Sequence, residues 1–226
     1  MDLQQLNAEV LNCRLCPRLV EWREQVAREK RRAVRDQVYW GRPVPGFGDP
    51  RGRVFVVGLA PGAHGSNRTG RQFTGDASGD FLYPALYRFG FASQPNSVFI
   101  EDGLTLKDLY TAPVCRCAPP DNKPTLQEMA NCQSYLEREF ELIRPQVLVA
   151  LGRIAFERIL RIYQIKGASF SFGHNVTLKI QRDMYLVCSY HPSRQNTQTG
   201  RLSQGMFDEV WKTVRGILEK SATTLS

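Results

Sequence analysis

The amino-acid sequence predicts an α/β fold, a three-layer α/β/α sandwich with a central, mostly parallel four-stranded sheet. Two observations predict this fold. Short apolar runs rich in β-branched residues recur along the chain, and they suit strands that are buried on both faces. Longer segments with helical patterning separate these runs, and such alternation is typical of a parallel sheet flanked by helices. The length of 226 residues suits one domain, which we predict to span residues 1–226.

The individual elements follow in chain order. The segment from Leu3 to about Val34 is predicted to be helical, with a cysteine-rich interruption at Cys13–Pro17. A loop rich in glycine and proline follows at Gly41–Pro50, and we expect neither helix nor strand to persist through it. The predicted strands are Val54–Leu59, Leu109–Val114, Val147–Leu151 and Tyr185–Tyr190. The predicted helices after the first strand are Gly79–Phe89, Thr125–Ile143, Arg153–Tyr163 and Gly205–Leu218. Thr125 and Glu128 have the spacing of a capping box.

The charge balance indicates a class of partner. Lysine and arginine total 30 against 22 aspartates and glutamates, a formal net charge of +8. This excess attracts polyanions such as DNA, although taken alone it fits ordinary solubility charge better. The longest apolar runs, such as Val54–Ala60, are far too short to span a bilayer, and residues 1–5 lack the layout of a signal peptide. We therefore expect a cytoplasmic protein with no membrane partner.

The six cysteines form a second pattern. Without an export signal, metal binding or catalysis is expected of them rather than disulfide formation. Two residues separate Cys13 from Cys16 within the N-terminal helical segment, residues 1–40, and 14 separate Cys117 from Cys132. Four thiolates suit zinc or an iron–sulfur cluster, and the wide second spacing favours a 4Fe–4S cluster. Three alternatives stay open: Cys132 is a buried apolar residue of its helix, Cys115 replaces Cys117, or both Cys115 and Cys188 are structural.

Polar segments follow three of the predicted strands, at the edge where parallel sheets bind their ligands. They are Gly58–Asp76, Arg116–Thr125 and Ser189–Arg201. The first is rich in glycine but is neither a P-loop nor a dinucleotide fingerprint, so a nucleotide-processing hydrolase is the weaker interpretation. A lone histidine is more often structural than catalytic. The position of His191 at a strand end, ahead of a proline and a polar loop, nevertheless indicates function.

These segments resemble those of the family 5, or type B, uracil-DNA glycosylases. The similarity rests on the glycine-rich segment, on Arg116–Thr125 and on Tyr190–Ser193, and it extends from Cys13 to about Met206. Family 4 enzymes have an acidic residue where this chain has Leu59 followed by Ala60, and an asparagine where it has Pro113. The resemblance therefore favours family 5. It implies a repair enzyme that removes uracil and other deaminated bases, such as hypoxanthine, from DNA, and it assigns the cluster to Cys13, Cys16, Cys117 and Cys132.

The resemblance also implies roles for single residues. Phe73 would stack on the flipped base, beside Ala60 and Gly62, although it also suits a core position. Asp76 would orient water or stabilise the cationic sugar, and a helix N-cap is its simpler role. His191 would donate a hydrogen bond to the departing base. Asn122 would assist near the base or the water, and a turn residue is its alternative.

The polar loop Arg194–Arg201 would enter the minor groove, with Arg194, Gln195, Asn196 and Arg201 contacting DNA. An ordinary mobile loop is the alternative. We also expect Arg68 and Arg71 to neutralise phosphates. No lysine accompanies the strand-end motifs in a position to form a Schiff base, so we expect a monofunctional enzyme, acting as a monomer. A non-catalytic nucleic-acid-binding module built around a four-cysteine metal site is the competing hypothesis.

Overall fold

The computed structural model describes residues 2–165 and 170–223. Its strands are β1 (Phe47–Gly48), β2 (Val54–Gly58), β3 (Leu109–Pro113), β4 (Val147–Leu151), β5 (Thr177–Gln181) and β6 (Met184–Ser189). Its α-helices are α1 (Leu3–Leu11), α2 (Pro17–Glu29), α3 (Ser66–Thr69), α4 (Ala77–Arg88), α5 (Leu126–Ile143), α6 (Arg153–Ile162), α7 (Arg194–Gln198) and α8 (Gln204–Thr223). Short 3₁₀ helices lie at Arg32–Val34 and Pro120–Asn122.

The strands form one sheet in the order β1-β3-β2-β4-β6-β5. The inner strands β3, β2, β4 and β6 are parallel, which confirms the predicted mostly parallel α/β sheet. The side chains of β2 point alternately to two cores. Val54 and Val56 pack with residues of α4 and α8, and Phe55 and Val57 pack with residues of α5 and α6. Because helices cover both faces, every residue of β2, β3 and β4 is buried, which explains their continuous apolar sequences.

Two antiparallel edge strands extend the predicted four-stranded sheet to six. No helix or strand persists through Gly41–Pro50, as expected, but Phe47 and Gly48 within this loop pair with Thr111 and Tyr110 of β3. This pairing is supplied by a distant segment and leaves little local signal. The strand β5 pairs with β6, and its residues alternate between exposed and half-buried. The polar–apolar alternation of Thr177–Gln181 carries this signal in the sequence, so β5 was predictable.

The helices begin and end close to their predicted bounds. Thr125 caps α5 as predicted: its Oγ1 accepts a hydrogen bond from the Glu128 N–H at 3.2 Å, and Glu128 Oε2 accepts one from the Thr125 N–H at 2.7 Å. The N-terminal helical segment is interrupted between α1 and α2, as predicted, but α2 ends at Glu29, where Lys30 takes a φ of +55°. None of the described helices is long and apolar enough to cross a membrane.

The predicted loop Arg194–Arg201 contains a short helix instead. The helix α7 occupies five residues of it, from Arg194 to Gln198. Ser193 is its N-cap, with the side-chain oxygen accepting a hydrogen bond from the Asn196 N–H at 3.4 Å. The interpretation as an irregular loop is therefore wrong over this stretch.

Candidate active site

The carboxyl ends of the parallel strands form the edge at which the polar segments meet. Backbone hydrogen bonds continue beyond the strands here. The Val114 N–H donates to the Gly58 carbonyl at 2.9 Å, and the Cys115 N–H donates to the Leu59 carbonyl at 2.9 Å. On the other side, the Gly152 N–H donates to the Ser189 carbonyl at 2.8 Å. These bonds hold the loops that carry the predicted site residues in fixed positions.

Asp76 is the N-cap of α4, and its two carboxylate oxygens differ in their surroundings. Oδ1 accepts hydrogen bonds from the N–H groups of Ser78 at 3.0 Å and Gly79 at 3.2 Å. Oδ2 accepts none from the residues described, and it faces the glycine-rich segment. A Cβ atom on Gly65 would lie 2.0 Å from Oδ2, and one on Gly62 would lie 3.1 Å from it. The capping role and a free carboxylate oxygen therefore coexist in one side chain.

Burial determines the proton affinity of this carboxylate. Desolvation raises the pKa of Asp76 above its ordinary value, although the N–H groups of Gly79 and Ser78 oppose the change. A raised pKa makes the carboxylate a better proton acceptor than an exposed aspartate. The free oxygen is thus suited to hold and polarise a water molecule.

Phe73 lies under this site in an uncommon backbone conformation, with a φ of +53°. Its ring packs against the end of β2, where a Cβ atom on Gly58 would lie 2.7 Å from Phe73 Cζ. The neighbouring backbone is held by the Tyr83 hydroxyl, which donates to the Gln72 carbonyl at 2.7 Å. The ring is 4% exposed and belongs to a hydrophobic core, the alternative position expected for it. Strained backbone of this kind concentrates at functional sites.

His191 follows β6 and lies beside Phe73, with 6.1 Å between the two ring centroids. The side chain is partly buried, and burial lowers its pKa to about 4. The imidazole is therefore neutral at neutral pH, and one ring nitrogen carries a proton that it can donate. Its ring makes no hydrogen bond to any described residue. The His191 carbonyl accepts a hydrogen bond from Asn196 Nδ2 at 2.9 Å, which links this residue to α7.

A carboxylate, a neutral imidazole and an aromatic ring therefore lie at the carboxyl edge of the parallel sheet. Residues 45–215 match the family model of the uracil DNA glycosylase superfamily. The chain belongs to this superfamily. A type-5 uracil-DNA glycosylase of Thermus thermophilus is 51% identical to it over 211 residues, which cover 93% of this chain and 95% of the relative. A type-5 uracil-DNA glycosylase of Mycobacterium leprae is 48% identical over 215 residues, 93% of each chain.

A type-4 uracil-DNA glycosylase is less similar. The one from Archaeoglobus fulgidus is 31% identical over 154 residues, which cover 66% of this chain and 70% of the relative. The predicted resemblance to family 5 rather than family 4 is therefore confirmed.

The other residues predicted to contact the base or DNA are exposed or partly buried. Asn122 is exposed in the 3₁₀ helix after β3, with a φ of +56°, and its side chain has no hydrogen-bond partner within residues 2–165 and 170–223. Ala60 is half-buried against the core under β3, and Gly62 borders Asp76. The remaining candidates are Arg194 and Gln195, both exposed, Asn196, which is partly buried, and the exposed Arg201.

Arg201 and His174 both support Tyr190, the residue before His191. The Arg201 guanidinium lies 4.8 Å from the centre of the Tyr190 ring. His174 Nδ1 accepts a hydrogen bond from the Tyr190 N–H at 3.3 Å, so its Nε2 carries the proton and donates to the Met206 carbonyl at 3.0 Å. Sequence reasoning missed His174, because these contacts join segments that no local pattern connects.

Of the two arginines expected to neutralise phosphates here, Arg71 is buried and Arg68 is partly exposed. Arg71 is 3% exposed, and its Nη2 lies 2.7 Å from Asp102 Oδ2 in an ion pair. Arg68 donates to the backbone carbonyls of His64 at 2.8 Å and Gly75 at 2.9 Å. Both side chains therefore brace the glycine-rich segment from within, and the prediction of phosphate contacts is wrong for Arg71.

The predicted cysteine ligands converge where α2, the loop after β3 and α5 meet. Cys16 and Cys117 pack together around Leu19, and Cys16 Sγ accepts a hydrogen bond from Asn131 Nδ2 at 3.3 Å. Cys132 is also buried, and it lies beside Cys115, the residue that sequence spacing left as an alternative to Cys117. Cys13 is less buried than the other three.

The surroundings of the Arg23 side chain indicate whether this region fits a group with anionic sulfur ligands. Its side chain is buried, at 2% exposed, and its Nη1 donates to Cys117 Sγ at 2.8 Å. Its Nε has no hydrogen-bond partner among the described residues. A buried guanidinium needs a nearby negative charge: Glu24 Oε1 lies 3.8 Å from Arg23 Nη2, and thiolate ligands would supply further negative charge. Across the described chain, no three His, Cys, Asp or Glu side chains are arranged to hold a single metal ion. The four cysteines supply sulfur donors of the kind that a group with thiolate ligands requires.

Proposed function

We propose that this chain is a DNA glycosylase that removes uracil from DNA by hydrolysis of the N-glycosidic bond. The observation that carries this proposal is the free Oδ2 of Asp76 at one strand end, with Phe73 and the neutral His191 side by side at the same edge. The relatives named uracil-DNA glycosylase, about half identical to this chain, support the same activity. Other deaminated bases such as hypoxanthine are proposed as further substrates.

Asp76 acts on the sugar side of the bond. Breaking an N-glycosidic bond develops oxocarbenium character on the sugar, as in glycoside hydrolysis. The N–H groups of Ser78 and Gly79 fix one carboxylate oxygen, so the other is held in a defined direction towards Gly65. Oδ2 orients a water molecule towards C1′ and accepts its proton, and the negative charge stabilises the cationic sugar. The raised pKa of Asp76 favours this proton transfer.

His191 acts on the leaving base. The departing base carries negative charge, and a fixed N–H donor stabilises that charge. Because burial holds the pKa of His191 at about 4, the donor is a neutral imidazole, which gives up no proton to solvent at neutral pH. Phe73 provides the stacking surface for the flipped base, bordered by the backbone of Ala60 and Gly62. Asn122 reaches the base or the water from the loop after β3.

We propose that the reaction stops at the abasic site. A lyase step would need an amine that forms a Schiff base with the sugar. The lysine in the strand-end segments is Lys123, which is exposed beside Asn122 in the loop after β3. Borohydride treatment during the reaction should trap no covalent complex with the wild-type protein, and a Lys123-dependent complex would contradict this part of the proposal.

Cys13, Cys16, Cys117 and Cys132 are proposed to hold a 4Fe–4S cluster with a structural role. When bound, the cluster supplies a cross-link between the N-terminal helices, the loop after β3 and α5. Arg23 would balance the charge of its thiolates through Cys117. The ion pair of Arg18 with Glu128, at 2.7 Å, joins the same elements without the cluster. Cys115 is the alternative ligand, since it contacts Cys132.

DNA is the proposed partner, contacted in the minor groove by α7 and the residues around it. Arg194, Gln195, Asn196 and Arg201 lie on this short segment directly after His191. Asn196 also donates to the His191 carbonyl, so a groove contact and the catalytic residue are mechanically linked. We propose that the protein acts as a monomer.

The roles of Asp76 and His191 are tested by single-turnover excision of several bases from duplex DNA. Loss of one positioned electrostatic group costs about 10²–10³-fold in rate. Asp76→Ala should slow every accepted base by about this factor. His191→Ala should slow bases that leave poorly much more than uracil, whose anion is comparatively stable. Both variants should keep wild-type iron content and duplex affinity, and wild-type rates for Asp76→Ala on all bases would overturn the assignment.

A further inference from the structure

The loop between α4 and β3 exposes three consecutive apolar side chains. Val98, Phe99 and Ile100 are 57%, 53% and 49% exposed. The other exposed large hydrophobic residues in the described chain do not form such a run: Leu15, Val38, Tyr87, Leu126 and Leu142. Single exposed apolar residues need no explanation, whereas a contiguous group marks an interaction surface. We call this group the apolar tripeptide.

The apolar tripeptide is held rigidly in its exposed position. Asp102 Oδ2 accepts hydrogen bonds from the N–H groups of Val98 at 2.7 Å and Phe99 at 3.3 Å. Asp102 Oδ1 accepts a third from the Leu104 N–H at 3.0 Å. Burial alone would raise the pKa of Asp102, but the hydrogen bond from Arg71 and these N–H groups lower it to about 2. The carboxylate is therefore ionised at neutral pH and closes the loop.

Arg71 connects this loop to the catalytic segment. From its buried position it donates to Thr74 Oγ1 at 3.0 Å, to the Ile100 carbonyl at 3.3 Å and to Asp102 at 2.7 Å. A separate backbone bond runs from the Gly75 N–H to the Ser97 carbonyl at 3.0 Å. Gly75 immediately precedes Asp76, so the apolar tripeptide is braced against the backbone that positions the catalytic carboxylate.

We propose that Val98, Phe99 and Ile100 form an apolar wedge that contacts the DNA duplex beside the flipped nucleotide. This proposal rests on the proposed function. A protein–DNA interface of about 600–1,000 Å² has a radius of roughly 14–18 Å. Ser97 is bonded to Gly75 beside Asp76, and the chain from Ser97 to Ile100 spans at most about 10 Å, so the tripeptide lies close enough to the site to fall within such a footprint. Flipping leaves an unstacked step, and phenylalanine and isoleucine are among the side chains that proteins insert at such steps.

If the apolar wedge contacts DNA, its contribution to the affinity should not depend on the salt concentration. Contacts to phosphates release counterions, so their loss reduces the slope of log affinity against log salt concentration. Loss of apolar stacking lowers affinity without changing that slope. Removing one base–aromatic contact commonly costs about 10-fold or more in affinity.

The experiment compares the wild-type holoprotein with the triple variant Val98→Ser, Phe99→Ser, Ile100→Ser. The probes are a duplex carrying a stable abasic-site analogue and the same strand alone, each titrated at several salt concentrations. The triple variant should bind the duplex at least about 10-fold more weakly, with an unchanged salt slope and single-strand affinity within about threefold of wild type. Leu142→Ser is the matched control and should bind as wild type, because α5 ends at the opposite edge of the sheet.

Three further outcomes distinguish a DNA contact from self-association of the protein and from failure of the proposed function. Unchanged duplex affinity in the triple variant overturns the wedge. Self-association of the wild-type protein that the triple variant abolishes, without a change in duplex affinity, assigns the surface to a second copy of the chain and also overturns it. Failure of the wild-type protein to release uracil from the same sequences, made with uracil in place of the abasic-site analogue, refutes the proposed function instead. If the triple variant melts early, Phe99→Ser alone provides the same comparison.

Discussion

Replacing Gly65 with alanine changes the space around the Asp76 carboxylate directly. The added Cβ atom would lie 2.0 Å from Oδ2 and 2.7 Å from Cγ of Asp76. An ordinary van der Waals contact begins near 3.4 Å, so the carboxylate or the Gly65 backbone must move by more than 1 Å. Neither can move freely: Oδ1 is held by two N–H groups at the start of α4, and the Gly65 N–H donates to the Gly62 carbonyl at 3.2 Å.

The size of this shift sets the expected effect on the rate. A misplacement of about 1 Å in a catalytic group costs on the order of 10²-fold. We therefore expect Gly65→Ala to slow single-turnover uracil excision about 100-fold. If the carboxylate leaves its capping position, the loss of the cap also destabilises the protein by about 1 kcal/mol. The rate effect is much larger than this change in folding would cause, because a stable protein stays folded after losing 1 kcal/mol.

Two glycine variants are controls for this prediction. A Cβ atom on Gly62 would lie 3.1 Å from Oδ2, so Gly62→Ala requires a shift of only a few tenths of an ångström and should cost less than about 10-fold. A Cβ atom on Gly205 meets nothing within 4 Å, and Gly205→Ala should match wild type. Single-turnover rates and melting temperatures check all three variants. A folded Gly65→Ala variant with the wild-type rate would refute the steric reasoning, and so would equal losses in Gly62→Ala and Gly65→Ala.

Four further predictions concern pH, iron and salt. Because the pKa of His191 is about 4, its imidazole stays neutral from pH 8 to pH 5. The single-turnover rate should therefore show no inflection due to His191 in that range. An inflection near pH 6.5 that disappears in His191→Asn would contradict this prediction. The same lowered pKa gives stability above pH 6.5 that is lost as the pH falls towards 4, so wild type should lose more stability on acidification than His191→Asn in chemical unfolding. Purified protein should contain about four iron and four sulfide per chain. Cys117→Ser should lose this iron and sulfide, whereas Cys188→Ser, at a buried position, should keep them. Zinc without sulfide would exclude the cluster. Arg201→Ala should reduce the salt slope of duplex binding by about 1, and an unchanged slope would show that Arg201 contacts no phosphate.

The parallel core of the fold was predictable, and its edges were less so. The inner strands can be recognised in the sequence because helices cover both faces of the sheet and every position must be apolar, as in β2 and β4. The edge strand β1 has two residues in a loop rich in glycine and proline, and it is held by contacts with distant segments: its pairing with β3 and the packing of Phe47 against the core. The helix α7 is one short turn whose residues are polar, so no apolar periodicity marks it.

The candidate site likewise contains residues that could be identified from the sequence and features that could not. Asp76 and His191 could be selected because each follows a strand or begins a helix in a polar segment, and these positions are local in sequence. The burial of Arg71 could not be predicted, since it depends on Asp102, 31 residues further along the chain, and an arginine in a loop is ordinarily solvated. The positive φ of Phe73 likewise arises from packing against Gly58 and from the Tyr83 hydroxyl bond to Gln72.

The most direct test of the central claim follows the oxygen that water adds to the sugar. Purified protein is incubated in ¹⁸O-labelled water with a duplex that contains one uracil, and the products are analysed by mass spectrometry. The account predicts free uracil and an unbroken strand whose abasic sugar carries one ¹⁸O, with this product formed at least about 100-fold more slowly by Asp76→Ala. An unaltered strand, or release of uracil at the same rate by Asp76→Ala, would contradict it.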